Sequence, residues 1–219
     1  MKGLKYKSFI QNFCCNTYII YGKNGDCAVI DPGYEGTEGF NEAAKLGDRL
    51  KYILLTHRHS DHLLAAIPLK KLTGASIAIH KDDEVGLLNP KDSLFYEVSS
   101  YFFEKQEVGS ADILLNDGDT LDIGGDTLTV MHTPGHSAGC ICFLGEGVIF
   151  SGDTLFAGSM GRVDFPTGDV EAMAKSLIKL SGLEGSLTLC AGHGETSTIE
   201  TENNTNPYIR MAKNGTLYG

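Results

Sequence analysis

His57, His59, Asp61 and His62 place four metal-capable side chains within six positions of one another. In an extended segment residues i and i+2 point the same way, so His57 and His59 can grip one ion together. Asp61 and His62, turned by the start of a following helix, can face a neighbouring ion. Burying such a group unpaired costs several kcal/mol, and a histidine at the positive end of a helix gains nothing as packing. The spacing therefore suits a pair of metals about 3.5 to 4 Å apart, which need further ligands, one of them bridging.

The remaining histidines are His80, His132, His136 and His193. His136 lies in the turn Thr133-Pro134-Gly135-His136-Ser137, and His193 in Ala191-Gly192-His193-Gly194 after an apolar run, so both sit at strand ends, where sites gather. His80 and His132 read as hydrogen-bonded or exposed histidines of their strands. Gly-Asp-Thr-Leu occurs at Gly118, Gly125 and Gly152, but only the third ends an apolar run, Val148-Ile149-Phe150-Ser151. A carboxylate can offer one oxygen to each of two ions, so Asp153 is assigned the bridge, with Asp119 and Asp126 as turn formers.

These residues require strands to carry them. Apolar runs predict strands over Cys15–Tyr21 and Asp26–Asp31 joined at Gly22-Lys23-Asn24-Gly25, then a helix over Thr37–Leu46 capped by Thr37. A buried strand Tyr52–Leu55 runs into the histidine cluster. One helix capped by Ser60 is expected to continue to Leu72 and stop at Gly74, before a strand Ser76–His80, making a β-α-β unit. Leu94, Phe95, Val98, Tyr101 and Phe102 recur as one face of a helix, which reads as core before it reads as a lid over a ligand. Short strands follow at Ile113–Leu115, Thr120–Ile123, Thr127–His132, Gly139–Leu144 and Val148–Ser151. A helix Asp169–Leu180, a strand Leu187–Cys190 and a helical tail past Thr198 close the chain. No Pro/Ser-rich linker divides it, so residues 1–219 read as one domain. Asp26–Gly33 and Gly147–Asp153, each an apolar strand ending in an acid near a glycine, hint at two related halves.

Composition narrows the function classes. The 219 residues are 42% hydrophobic and 21% charged, which fits a folded globular chain, and the net charge of −10 disfavours binding a polyanion. No apolar run reaches the roughly 18 residues of a membrane span, and Lys5 and Lys7 interrupt any leader-like stretch, so a cytoplasmic protein is expected. Cys27, Cys140, Cys142 and Cys190 fall in apolar β-like runs and read as reduced, buried thiols; Cys14 and Cys15 are adjacent and cannot easily bridge each other.

The series His-x-His-x-Asp-His, Thr-Pro-Gly-His, Gly-Asp-Thr-Leu-Phe and Gly-His-Gly, in that order over Asp31 to His193, resembles the metallo-β-lactamase fold superfamily. The resemblance implies an α+β fold, a four-layered αβ/βα sandwich with the site along one edge of two sheets. It further implies His57, His59 and His136 on the first metal, Asp61, His62 and His193 on the second, and Asp153 between them. Asp31, in Ile30-Asp31-Pro32-Gly33, matches an early strand-end aspartate that orients ligands without binding metal. Gly158-Ser159-Met160-Gly161-Arg162 and Asn206-Pro207-Tyr208 resemble the glyoxalase II (hydroxyacylglutathione hydrolase) branch. Only residues 194–219 follow His193, so the closer likeness is to short, single-domain glyoxalase II-like hydrolases. Arg162 is a candidate anchor for a substrate carboxylate.

Two divalent ions, zinc first with iron or manganese compatible, would lower the pKa of a shared water toward neutrality and so supply a hydroxide, with Asp61 orienting it. A thioester or related ester suits this site. A thiolate leaves without a general acid, because its conjugate acid has a pKa of about 8.5. Five other readings compete, among them a metallo-β-lactamase proper, which predicts a secretory signal and lacks the Gly-Asp-Thr-Leu-Phe bridge. Gly135-His136-Ser137-Ala138-Gly139 fits a serine nucleophile elbow, but Cys140–Leu144 is β-like where the elbow needs a helix. A persulfide dioxygenase of this fold would use a single iron and leave Gly192-His193-Gly194 unexplained. A nuclease is disfavoured by charge, and a scaffold that merely keeps the fold would not need a complete ligand set.

Overall fold

The computed structural model describes residues 3–11 and 14–217. β1 (Tyr6–Phe9), β2 (Thr17–Tyr21) and β3 (Cys27–Ile30) form an antiparallel meander. The chain then crosses through α1 (Glu38–Ala44) to β4 (Leu50–Leu54), through α2 (Ser60–Leu63) and α3 (Ala66–Thr73) to β5 (Ser76–His80), and past α4 (Val85–Leu88) to β6 (Ile113–Leu115). β3 to β6 pair in parallel, so the first sheet has six strands in chain order.

The second half builds β7 (Thr120–Ile123), β8 (Asp126–His132), β9 (Ile141–Gly145) and β10 (Val148–Gly152), all antiparallel. A small hairpin, β11 (Leu155–Phe156) and β12 (Ser159–Met160), leads through α5 (Val170–Ser181) to β13 (Thr188–Ala191), which pairs in parallel with β10. β14 (Ser197–Thr198), α6 (Ile199–Thr205) and α7 (Pro207–Asn214) complete it, and the second sheet runs β14-β13-β10-β9-β8-β7.

Period-two alternation explains the layering. On β2 and β3, Ile19, Cys27 and Val29 face α1 and α3, while Tyr18, Ile20, Ala28 and Ile30 face the second sheet. On β8 to β10, Leu128, Val130, Ile141, Phe143, Val148 and Phe150 meet that inter-sheet core, and Met131, Cys142 and Ile149 turn outward to α5 and α7. Both sheets are thus apolar on two faces, each side chain gaining about 1.5–3 kcal/mol from burial. The result is the expected α/β/β/α sandwich. Among the described residues, no helix is long and apolar enough to cross a membrane.

Some expectations are corrected. The single helix from Ser60 to Leu72 is two helices, because Pro68 has no N–H to give the carbonyl of Leu64. His59, not Ser60, is the residue before the first turn, and the Ser60 hydroxyl bonds that of Ser99 at 2.7 Å. The apolar stripe from Leu94 is not one core face: Leu94 takes φ of 57°, Phe95–Ser99 winds as a π-turn, and only Leu94 and Phe95 of the stripe are buried, with Tyr101 85% and Phe102 64% exposed. Asp119 does form a turn with Asn116, whereas Asp126 begins β8 and pairs with Lys23 at 2.7 Å. All six cysteines, Cys14 and Cys15 included, are free and buried.

Candidate metal centre

Every residue of the candidate site leaves the C-terminal end of a strand. Asp31 follows β3, His57 to His62 follow β4, His136 follows β8, Asp153 follows β10 and His193 follows β13. β8, β10 and β13 run in one direction, so their ends meet those of β3 and β4 along one edge of the sandwich. The sheets are joined there: Ile141 N–H donates to the Thr56 carbonyl at 2.9 Å, and Asn16 N–H to that of Gly192 at 2.6 Å. Glycine is required at 192, since a Cβ there would fall on Asp153 Oδ1.

Seven sequence-predicted donors converge. His57 Nε2 lies 3.1 Å from His59 Nδ1, which lies 2.8 Å from His136 Nε2. His62 Nε2 lies 3.3 Å from His193 Nε2, and His193 Nε2 3.3 Å from Asp61 Oδ2. Asp153 stands between the groups, with Oδ1 3.4 Å from His62 Nε2 and Oδ2 3.5 Å from both His136 Nε2 and His193 Nε2. Two tetrahedral ligands at 2.0–2.1 Å from one zinc ion stand about 3.3 Å apart, so these spacings match a shared cation.

Outer partners set which ring nitrogen faces inward. Asp31 accepts from the Thr56 N–H and hydroxyl at 2.8 and 2.7 Å, and from His62 Nδ1 at 2.8 Å. With its proton given to Asp31, the Thr56 oxygen accepts from His57 Nδ1 at 3.1 Å. His136 Nδ1 donates to the Arg162 carbonyl at 2.7 Å. His57, His62 and His136 therefore all turn Nε2 into the cluster. Asp31 occupies its post at a φ of 49°, a strained conformation for a non-glycine residue.

The donor chemistry fits metal ions. Burial and the neighbouring His62 and His59 push His57 well below the usual imidazole range, and burial with His136 pushes His59 down to about 3. His59 Nδ1 faces the inward nitrogens of both His57 and His136, and a single ring proton can serve only one of them, so a cation among the three would satisfy what their own protons cannot. Conversely, Asp153 and Asp31 hold His62 well above its ordinary value against the cost of burial. That half of the cluster demands positive charge. Asp153 Oδ1 is buried without a hydrogen-bond partner, as a carboxylate awaiting a ligand bond would be. His57, His59 and His136, then His57, His62 and Asp153, then Asp61, His62 and His193 each form a set able to hold an ion.

His80, Asp82 and His132 also bring donor atoms within 4.8 Å. The two rings, however, stack at 4.2 Å and 10°, so their in-plane lone pairs do not converge, and His132 Nε2 bonds the Ala138 carbonyl at 2.9 Å.

Above the main cluster lies a cleft of about 420 Å³, lined by Val98, Phe156, Met160, Arg162 and Phe165 together with ligand side chains. Arg162 reaches this rim with its guanidinium bonded through two nitrogens to Asp164 at 2.6 Å each, and lies 3.9 Å over the Phe165 ring. Sequence reasoning gives Thr56 and Phe165 no role: Thr56 could have been read from its place between a buried strand and His57, Phe165 carries no such signal, and Val98 belongs to the stripe that also reads as a lid.

The chain is similar to hydroxyacylglutathione hydrolase GloC of Haemophilus influenzae, 34% identical over 209 residues covering 91% of this chain and 95% of the relative. Among solved structures it is similar to BLEG-1, a B3 metallo-beta-lactamase, with a TM-score of 0.83, 29% identity, and 94% and 99% of the two chains covered. It is also similar to TTHA1623 in a di-iron-bound form, with a TM-score of 0.80, 29% identity, and 93% and 100% covered. The fold, the clustered histidines and aspartates, and a family model matching residues 13–193 agree: the chain belongs to the metallo-beta-lactamase superfamily.

Proposed function

We propose that this protein is a dinuclear metallohydrolase of thioesters, with residues 1–219 acting as one catalytic domain. His57, His59 and His136 would hold one divalent ion, Asp61, His62 and His193 the other, and Asp153 both. Zinc is the first candidate; iron is supported by the di-iron form of a structural relative. The ions, when bound, supply Lewis acidity and a water acidified to near neutral pH.

The chain's own residues supply the rest. Asp61, whose carboxylate His62 and His193 keep ionised despite burial, accepts a hydrogen bond from the attacking oxygen and aims it at the carbonyl. Phe156, Met160, Phe165 and Val98 exclude bulk water from the cleft and receive the acyl or thiol limb. Arg162 at the rim pairs a substrate carboxylate in exchange for Asp164. A thiolate departs unprotonated, which matches a cleft that, among the described residues, is lined by no acid beyond the ligand aspartates to protonate an amine leaving group.

The observation that carries this reading is the convergence of six donors around a shared carboxylate beneath an apolar cleft. Elemental analysis combined with assays on a hydroxyacylglutathione and a panel of other thioesters tests it. Two metal equivalents and thioester turnover are expected; a metal-replete protein that hydrolyses no thioester overturns it.

A further inference from the structure

Asp83 is fully buried, and its carboxylate takes no part in the cluster above. It follows β5, its own N–H donating to the His80 carbonyl at 2.9 Å. Oδ2 accepts from the backbone N–H of Arg58 at 3.1 Å and from the Ser137 hydroxyl at 2.5 Å, while Oδ1 accepts from Gly139 N–H at 2.9 Å. Arg58 stands between His57 and His59, and Ser137 directly follows His136. One carboxylate from a third loop thus ties together the two segments that bear the three-histidine group.

Local packing is shaped around this contact. A Cβ at Gly139 would lie 2.6 Å from Asp83 Cβ and Cγ, and one at Gly86 would lie 2.6 Å from Arg58 Cβ. Two glycines therefore allow the three backbones to close on the carboxylate. Asp31 makes the corresponding ties from Thr56 and His62, on the opposite side of the cluster.

We propose that Asp83 is the positioning residue of the His57–His59–His136 site: its carboxylate fixes the separation of the two ligand-bearing loops, and so sets the affinity and geometry of the ion held by those three histidines without touching it. The proposal rests on the metal-centre reading and extends it to a residue with no ligand role. Hydrogen bonds from N–H and O–H to a buried carboxylate are the strong kind, and losing such outer support weakens metal affinity about 10–100-fold. In Asp83→Asn one acceptor oxygen becomes an NH2 group, which cannot accept from Arg58 or Gly139. Ser137→Ala deletes one tie and leaves the carboxylate and both glycines in place.

The test is competition titration of Zn2+ against a chromophoric chelator on the full chain, beside ligand-field spectra of the Co2+ form and thermal melts of each variant. Wild type should bind two equivalents. Asp83→Asn should weaken one equivalent about 10–100-fold and shift the Co2+ spectrum, while leaving the other equivalent near its wild-type constant. Ser137→Ala should shift the same equivalent by less. Both variants with two wild-type constants, or a folded Ser137→Ala that weakens both equivalents equally, would overturn the proposal. Should Asp83→Asn fail to fold, Ser137→Ala decides alone by the same criterion. A wild type that binds no Zn2+ would instead defeat the metal-centre reading itself.

Discussion

The His57–His59–His136 trio and the Asp61–His62–His193 group occupy neighbouring volumes yet solve opposite electrostatic problems. The trio is buried, each residue 3% exposed or less; the His57 and His136 rings are held from outside by Thr56 and the Arg162 carbonyl, and the Asp83 ties fix the backbone beside all three. The second group carries Asp61 and sits beside Asp153, so carboxylate charge would draw a cation to it, but the His193 side chain is 37% exposed and, among the described residues, no outer hydrogen bond orients its ring. One half is pre-organised and enclosed; the other is charged and open. In the two-ion reading, affinity in the second would come from Coulomb attraction, and exchange with solvent would be easiest there.

The largest expected effect comes from removing what the halves share. Asp153→Ala should lower kcat/KM by on the order of 10³-fold and reduce the metal content of both sites, measured by steady-state thioesterase kinetics and elemental analysis. Retention of two ions with near-normal turnover would mean that the halves act separately. Next, His193→Ala should leave one tightly held equivalent and cost about 10²-fold in turnover, while His59→Ala should disturb the enclosed half. In the wild type, chelator should remove metal in two phases, with the faster phase abolished in His193→Ala. A single phase in both proteins would erase the distinction drawn from exposure.

Asp31→Asn sharpens the comparison because Asp31 serves both halves, bonding His62 directly and His57 through Thr56. Its loss should weaken both equivalents about 10–100-fold, in contrast to the one-sided effect expected at Asp83. Competition titration reads both constants in one experiment.

The difference between Asp31 and Asp83 also shows what a sequence can reveal. Asp31 closes an apolar strand beside Pro32 and Gly33, and the ligands end strands in short, unusual motifs, so apolar runs mark the strands with the donors at their ends, while the two-sheet sandwich and the role of Asp31 follow from the family resemblance. Asp83 sits in Lys81-Asp82-Asp83-Glu84, which reads as a solvated charge run. Only the packing of β5 against β4, together with the closeness that Gly86 and Gly139 permit, separates buried Asp83 from exposed Asp82. The stripe from Leu94 to Phe102 departs from the core reading for a related reason. Its apolar spacing is helical, but the chain reverses at Leu94 and places Val98 on the cleft while Tyr101 and Phe102 point to solvent. Periodicity reports an element's period and says nothing about a tertiary turn that redirects it.

The smallest expected effect probes the open half from behind. The Cys14 thiol donates to the Asp61 carbonyl at 3.2 Å and lines an apolar cavity of about 520 Å³ with Tyr34, Phe102 and Phe103. Its hydrogen bond with Cys15 draws it below the ordinary thiol range, against burial, whereas burial pushes Cys142 and Cys190 up to about 11. At pH 8 iodoacetamide should therefore modify Cys14 first, with Cys142 and Cys190 protected until the protein unfolds, as peptide mass spectrometry would show. Cys14→Ser keeps a donor to Asp61 and should change kcat/KM by less than about twofold, equivalent to about 0.4 kcal/mol. The bulky adduct should instead displace the Asp61 backbone and speed the fast phase of metal release without altering the slow one. An adduct that sped both phases equally would show that the halves are mechanically one unit, and that exposure of His193 alone does not make the second site the labile one.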